Sequence, residues 1–487
     1  MAETIDIPLT PVDHAPSRQY CAFLFYIPLK PGIKPRQAFG ILQEGLHRTF
    51  VQLPWLSGRI WRQSPDAPGY RPGQLVLRHG PVAPDGEWPS QLRFNELDSS
   101  VSFDELRDAA FPTNSFPDDS LRWIGFRPDV NEGPDVFMAQ ANFIPGGCIL
   151  AAGPHHLASD GAAAITIATL WADHCRELQS NSPVPVLAPA SETYDRTFLD
   201  RTWAAHGQRE SGEGVDPSNW RLLGRPGPPE PVPEPTNEEE QPSAGRSMKS
   251  SIFYVPAAKF SALHKACAQA GEGITATDAL VALLWRSNVR ARRKIALQAN
   301  TPTGDISDPQ AWAGLAAMVD GRAYFKPEWL PPDYLGNLTC INLALRPIAE
   351  LVSPELSLGD VARSIREGAN TVTVQSLMDA YALARDVPDY DRLAYSDLRL
   401  DSAGLLISPL VGLPVRGMNF GSIFGNGGCP EAMRPPMAAL NRTTRTCFML
   451  PRLEGGGVEV LLNMFEEEME VLMQDKEFTE YAMFLAD

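Results

Sequence analysis

No apolar run in this sequence comes near the roughly 20 residues that a membrane-crossing helix needs, so no membrane span is expected. Positive charge is also scarce. Lysine and arginine number 42 against 59 aspartates and glutamates, a formal net charge of −17. Nucleic-acid binding wants a basic face, so that class is set aside. Cysteine is sparse: seven residues, at 21, 148, 175, 267, 340, 429 and 447. An odd, scattered set without a CxxC pair suits reduced thiols in the cytosol better than a disulfide framework. There is no HExxH and no second cluster of histidine and carboxylates at ligand spacing, so no metal is expected. No compact phosphate-binding loop is present either. The opening MAETIDIPLTPVD has acids where a secretory signal has a basic stretch and then an apolar one. A cytoplasmic protein is therefore expected, with the sequons at Asn337 and Asn441 silent.

What the chain does have is length and apolar content. Its 487 residues, 44% of them hydrophobic, exceed one ordinary core, which favours two large domains. Apolar runs predict strands at Cys21–Leu29, Gln74–Arg78, Trp123–Phe126, Val136–Phe143 and Cys148–Ala152. Helical spacing predicts Arg36–Val51, with Phe39, Leu42, Leu46 and Phe50 in register, and Ala162–Leu178. Residues 80–120 read as loop with one short helix near Phe103–Ala110. Pro226–Pro242 is too poor in apolar side chains to fold. The two acidic runs, Glu238–Glu240 and Glu466–Glu468, read as solvated surface. The second half predicts strands at Ser251–Val255, Ile295–Asn300, Cys340–Leu345 and Leu405–Ser408. Its helices are expected at Ala257–Gly271, Ala279–Arg292, Leu358–Thr373, Glu466–Met473 and Glu477–Leu485. Thr446–Pro451 and Gly457–Asn463 read as a hairpin. The mixture gives two α/β layered domains of similar size, residues 1–205 and 249–487, joined by a crossover linker, 206–248.

The stretch GPHHLASDG, Gly153 to Gly161, carries the chemistry. Pro154 and Gly161 bracket a tight loop between a buried strand and a helix. A neutral imidazole there can take a proton from a hydroxyl or amine. One of His155 and His156 is then the base and the other its support, while Asp160 fixes the loop or the ring. A satisfied core histidine is the plain alternative. No cysteine lies beside this motif, which argues against a cysteine nucleophile.

At HHLASDG the sequence resembles the BAHD acyltransferases and, more widely, the superfamily of chloramphenicol acetyltransferase and condensation domains. Other landmarks follow in the family's order: LTPVD, PWLSGR, TDALVALLWRSNVRAR, VDGRAYFKPEWLPPDYLGN and FMLPRLEGGGVEVLLNMFEEEMEVL. The long linker and NFIPGG look most like fungal trichothecene acetyltransferases. The resemblance implies two mixed-sheet α/β domains of the chloramphenicol acetyltransferase type with an active-site channel at their interface. It implies His156 as general base, Asp160 turned from substrate and held by Arg322, and Gly161 as the small residue that turns the chain. Ser408 falls on the hydroxyl near the developing oxyanion, and Leu410 stands where the family has tryptophan. His155 supports the site. Asn419-Phe420-Gly421 matches a structural motif that reads DFGWG in the family and NFGSIFG here. The change removes that motif's charge pairing and bears on coenzyme A affinity, but leaves the base in place.

The implied protein is a monomer that uses acyl-coenzyme A as co-substrate and acylates a hydroxyl or amine of a small, secondary-metabolite acceptor, with no covalent cofactor. Two other readings stand beside it. One is a condensation-like enzyme that takes its acyl group from a carrier protein. The other is a non-acylating relative that binds or cyclises a metabolite.

Overall fold

The computed structural model describes residues 4–182, 184–207, 214–229, 247–298, 305–308, 310–393 and 403–487. The acidic run Glu238–Glu240, the tract from Glu230 to Pro242 and the last two residues of Ile295–Asn300 lie outside them.

Two apolar runs form the spine of the first sheet. Phe137–Ile144 and Gly147–Pro154 are joined at Pro145-Gly146, where Gly146 has φ +83°. Glycine reaches that angle without strain, which sets the turn. Every residue of both strands is buried. Both faces of the sheet are therefore covered. Helices Pro35–Gln52 and Gly161–Glu177 belong to the core on one side, and the Trp171 indole donates to the Leu42 carbonyl at 2.8 Å. Phe103, Leu106 and Phe111 close the other side. The strand order is Ala432–Arg434, Phe23–Pro28, Gly147–Pro154, Phe137–Ile144, Leu92–Glu96. Only the last pair is parallel.

The second sheet has seven strands: Thr339–Pro347, Trp312–Asp320, Gly404–Pro409, Thr446–Met449, Val458–Met464, Lys249–Val255 and Met483–Ala486. Ala313, Leu315, Leu405 and Ile407 share a core with the helices Ala276–Gln298 and Leu358–Asn370. A third sheet holds Ile5–Pro8, Leu75–His79 and Arg59–Arg62. The first sheet takes its edge strand, Ala432–Arg434, from the second half of the chain.

Several expectations give way to tertiary context. Residues 295–298 continue the helix Ala276–Gln298, because no glycine or proline interrupts it. Trp123–Phe126 is not a strand. The Trp123 indole instead donates to the carbonyls of Gln91 and Ala139 at the sheet margin. The final helix stops at Tyr481, and Met483–Ala486 pairs with Lys249–Val255. Within the loop-rich region Leu92–Glu96 is a strand, and Val374–Arg385 is a further helix. Part of the linker folds, as a tight helical stretch at Pro217–Leu223, and the polar stretch just before it holds a helix at Thr197–His206. Glu468 is not solvated surface. It is buried, with both carboxylate oxygens on Arg445 at 2.7 and 3.1 Å.

The glycines around the histidine loop differ in what they do. A Cβ on Gly153 would lie 2.2 Å from the Cys21 carbonyl oxygen and 2.6 Å from the Ala22 Cα. Gly161 lies outside the left-handed region, and a Cβ there would find nothing nearer than 3.9 Å. The turn thus does not require glycine at 161, and the steric demand sits at 153. Gly153→Ala should cost about 1–3 kcal/mol from overpacking, and Gly161→Ala within about 0.5 kcal/mol. Urea midpoints of the two variants check this; equal effects would contradict it.

Candidate active site

The loop His155–Asp160 runs from the end of Gly147–Pro154 to the start of Gly161–Glu177. Backbone bonds pin its entry: the His155 amide donates to Val136 at 2.7 Å and the His156 amide to Gln19 at 2.7 Å. Asp160 pins its exit as the N-cap, accepting from the Ala163 amide at 3.1 Å.

Asp160 is fully buried and meets Arg322 through two parallel bonds of 3.0 Å. The Leu338 amide adds a third donor at 2.9 Å. Burial alone would raise the Asp160 pKa. The Arg322 charge and the hydrogen bonds from Arg322, Leu338 and Ala163 together outweigh it and hold the carboxyl below its ordinary value. Arg322 spends its remaining donors on Tyr334 O at 2.7 Å, Gly336 O at 2.6 Å and Asp320 at 2.9 Å. All five N–H groups are used, a fork that lysine lacks.

The two histidines differ. His155 is completely buried, and its Nδ1 accepts from the Leu157 amide at 3.3 Å. Burial, then the neighbouring charges of His156 and Arg18, push its pKa down to about 3, so it is neutral. His156 is half-buried. Its Nδ1 lies 3.3 Å from Asn337 Oδ1, and its Nε2 has no described hydrogen bond within the protein.

Ser408 is buried near the end of Gly404–Pro409, and its hydroxyl points to the Met318 sulfur at 3.5 Å. The histidine loop and Ser408 make no described hydrogen bond to each other. Asn419, Phe420 and Gly421 stand apart, by the C-terminal end of Gly161–Glu177. There Gln179 donates to the Phe420 carbonyl at 2.7 Å and accepts from the Ile423 amide at 2.9 Å. The Cys21 thiol lies beside Asp160, and burial pushes its pKa up to about 12, which leaves no thiolate. Among the described residues, no group of three or more His, Cys, Asp or Glu is placed to hold a metal ion, and no helix is long and apolar enough to cross a membrane.

Three residues that sequence reasoning did not assign to the site belong to it. Asn337 touches His156. Asp13 accepts from Asn337 Nδ2 at 2.9 Å, and Arg196 donates to Asp13 at 3.0 Å. Asp13 and Asn337 were visible as letters of LTPVD and YLGN. Arg196, at the start of a short helix, carried no signal.

The Asp160 arrangement has a signed pH consequence. A depressed carboxyl pKa contributes stability that is present above the unfolded value of about 3.9 and is lost as pH falls through the folded one. Asp160→Asn, which leaves Arg322 buried without its charge partner, should cost about 3–5 kcal/mol at pH 7. The gap to wild type should narrow below about pH 4. Urea unfolding at both pH values checks this; a gap that widens in acid would refute it.

The geometry can be set beside known proteins. The model of the Transferase family matches residues 114–479, and that of the trichothecene 3-O-acetyltransferase-like N-terminal domain matches residues 20–175. The isocyanide synthase–NRPS hybrid crmA of Aspergillus fumigatus is 29% identical over 97% of this chain and 31% of its own. This chain therefore spans less than a third of that relative. Acyltransferase easC of Emericella nidulans is 26% identical, over 91% of this chain and 88% of that one. F. graminearum TRI101, complexed with coenzyme A and T-2 mycotoxin, superposes with a TM-score of 0.75 at 19% identity, covering 99% of this chain and all of that one. The first condensation domain of the CDA synthetase gives 0.56 at 14% identity, covering 98% and 95%. These structures share the fold. With well over half of its length matched by the family model, the chain belongs to the Transferase family.

Proposed function

We propose that this protein is an acyltransferase that moves an acyl group from a coenzyme A thioester to a hydroxyl or amine of a small secondary metabolite. The observation that carries the proposal is His156: a half-buried imidazole, anchored at Nδ1 and open at Nε2, on a loop locked by Asp160 and Arg322. The coenzyme A in TRI101 and the acyltransferase name of easC support the donor and the reaction class.

In this reading His156 Nε2 takes the acceptor's proton. The freed oxygen or nitrogen attacks the thioester carbonyl, and charge collects on its oxygen. As the C–S bond breaks, His156 returns the proton to the departing thiolate, which leaves as coenzyme A. Ser408 donates to the oxyanion. Its present acceptor is a thioether sulfur, a weak one, so the donor is cheaply released. Asp160 and Arg322 touch no substrate and hold the loop. In this reading domains 1–205 and 249–487 flank the channel, and 206–248 links them in sequence.

A second reading has specific support. The match to an NRPS hybrid and the fold of a condensation domain both favour a donor carried on a protein. The two differ only in what carries the thioester.

Thiol release separates them. Acetyl-, malonyl- and longer acyl-coenzyme A would be offered with a panel of alcohols and amines, and the same acyl groups on a carrier protein in parallel. Release with a coenzyme A thioester, only when acceptor is present, is expected. His156→Ala should abolish it, and Ser408→Ala should lower kcat by about 100- to 1000-fold. Near wild-type turnover by His156→Ala would sink the mechanism. Release from the carrier alone would replace the first reading by the second.

A further inference from the structure

We infer that Asn337, Asp13 and Arg196 form a positioning relay that decides which nitrogen of His156 carries the proton. The inference rests on His156 being the base of the proposed reaction and adds three residues that set its state.

The argument starts at the Asn337 amide. Its Nδ2 lies 2.9 Å from Asp13 Oδ1 and 2.8 Å from the His156 carbonyl oxygen. Both of those atoms only accept. Turning the amide over would set its oxygen against two oxygens, so its orientation is fixed. The atom 3.3 Å from His156 Nδ1 is therefore Oδ1, which also only accepts. The proton must sit on Nδ1. Nε2 then keeps its lone pair, as a base requires. The opposite tautomer would place two lone pairs face to face and leave Nε2 a donor.

Asp13 makes that orientation compulsory. It is 0% exposed, and its two oxygens take five donors. Oδ1 accepts from the Asn337 amide N–H at 3.2 Å, from Asn337 Nδ2 and from Arg196; Oδ2 accepts from the Thr10 amide at 2.8 Å and the Thr10 hydroxyl at 2.7 Å. Every hydrogen bond at both Asp13 oxygens is one that it accepts, and the Arg196 guanidinium pairs with it inside the protein. Arg196 also donates to the Ala158 carbonyl, two residues past His156. The circuit therefore closes on the loop where it began: Ala158, Arg196, Asp13, Asn337, His156. His155 offers an internal contrast. Its Nδ1 accepts from the Leu157 amide, so its proton is on Nε2. Adjacent histidines thus hold opposite tautomers, each set by its own neighbours.

The test uses the full chain with 15N-labelled histidine. Long-range proton–nitrogen correlations report which ring nitrogen is protonated, and the spectrum of His156→Ala assigns the His156 signals among the eight histidines. Wild type should show the Nδ1–H pattern at His156. Asn337→Ala should shift it toward Nε2–H and lower kcat on the order of 100-fold or more. The KM for the acyl donor should stay within about threefold. Asn337→Ser, which keeps a polar group but no fixed acceptor, should loosen the tautomer in the same direction. The wild-type tautomer needs no substitution, so it decides the point if neither variant folds. Nε2–H as the wild-type tautomer would overturn the relay. So would variants that alter neither tautomer nor kcat. A correct tautomer without turnover on any thioester would instead refute the proposed function and leave the relay standing.

Discussion

The buried pair of Asp160 and Arg322 is the constraint on which the site depends. It joins residues 162 apart in sequence, one on the histidine loop and one on the turn after Trp312–Asp320. Neither charge is tolerable alone in the interior: an unpaired ion there costs several kcal/mol even after relaxation. The loop must therefore close on the second half of the chain. Arg322 does more than neutralise. Its bonds to the carbonyls of Tyr334 and Gly336 shape the turn that presents Asn337, and Asn337 in turn meets His156. Removing Arg322 would thus disturb His156 by two routes, through Asp160 and through Asn337.

Much of this was legible because it is local. Strand, loop and helix around GPHHLASDG are set by neighbouring residues: a buried run, a proline, an aspartate at the N-cap, then small and apolar side chains. The hairpin Thr446–Met449 with Val458–Met464 is equally local, with its turn signal in the Glu454-Gly455-Gly456 stretch. What was not legible depends on partners far away in sequence. Ala432–Arg434 is a strand because Phe23–Pro28 offers an edge, and Met483–Ala486 because Lys249–Val255 does. Asp13 and Asn337 could be read as landmarks but not as contacts, since nothing in either motif names the other. Arg196 shows why sequence falls short at the site: a lone arginine in a polar stretch looks solvated, and only the fold buries it against Asp13.

Two buried ion pairs flank one short loop, and they do different work. Asp160 with Arg322 fixes the exit of the loop and the helix behind it. Asp13 with Arg196 fixes the amide that faces the imidazole. Buried pairs contribute little net stability compared with apolar packing. Their use here is directional: a guanidinium fork specifies where a carboxylate and two carbonyls lie to within a hydrogen bond. The proposed base, which has to present one nitrogen to a substrate, needs that direction more than it needs stability.

The departure at NFGSIFG fits the same division. Asn419 Oδ1 accepts from the Gly421 amide at 2.9 Å, a bond that needs an oxygen and not a charge. Gly421 at φ +101° lets the loop press on Gln179, where a Cβ would lie 2.1 Å from the amide nitrogen. The amide therefore keeps the turn that an aspartate would make, and only the charge is gone. Gly161–Glu177 separates that turn from the histidine loop, and its 17 residues span about 25 Å. At that separation two unit charges interact by only about 0.7 kcal/mol at an effective dielectric of about 20. A charge lost at the far end of the helix has little reach to His156. The change stays at that far turn, while Asp160 and Arg322 at the near end hold the loop that carries His156.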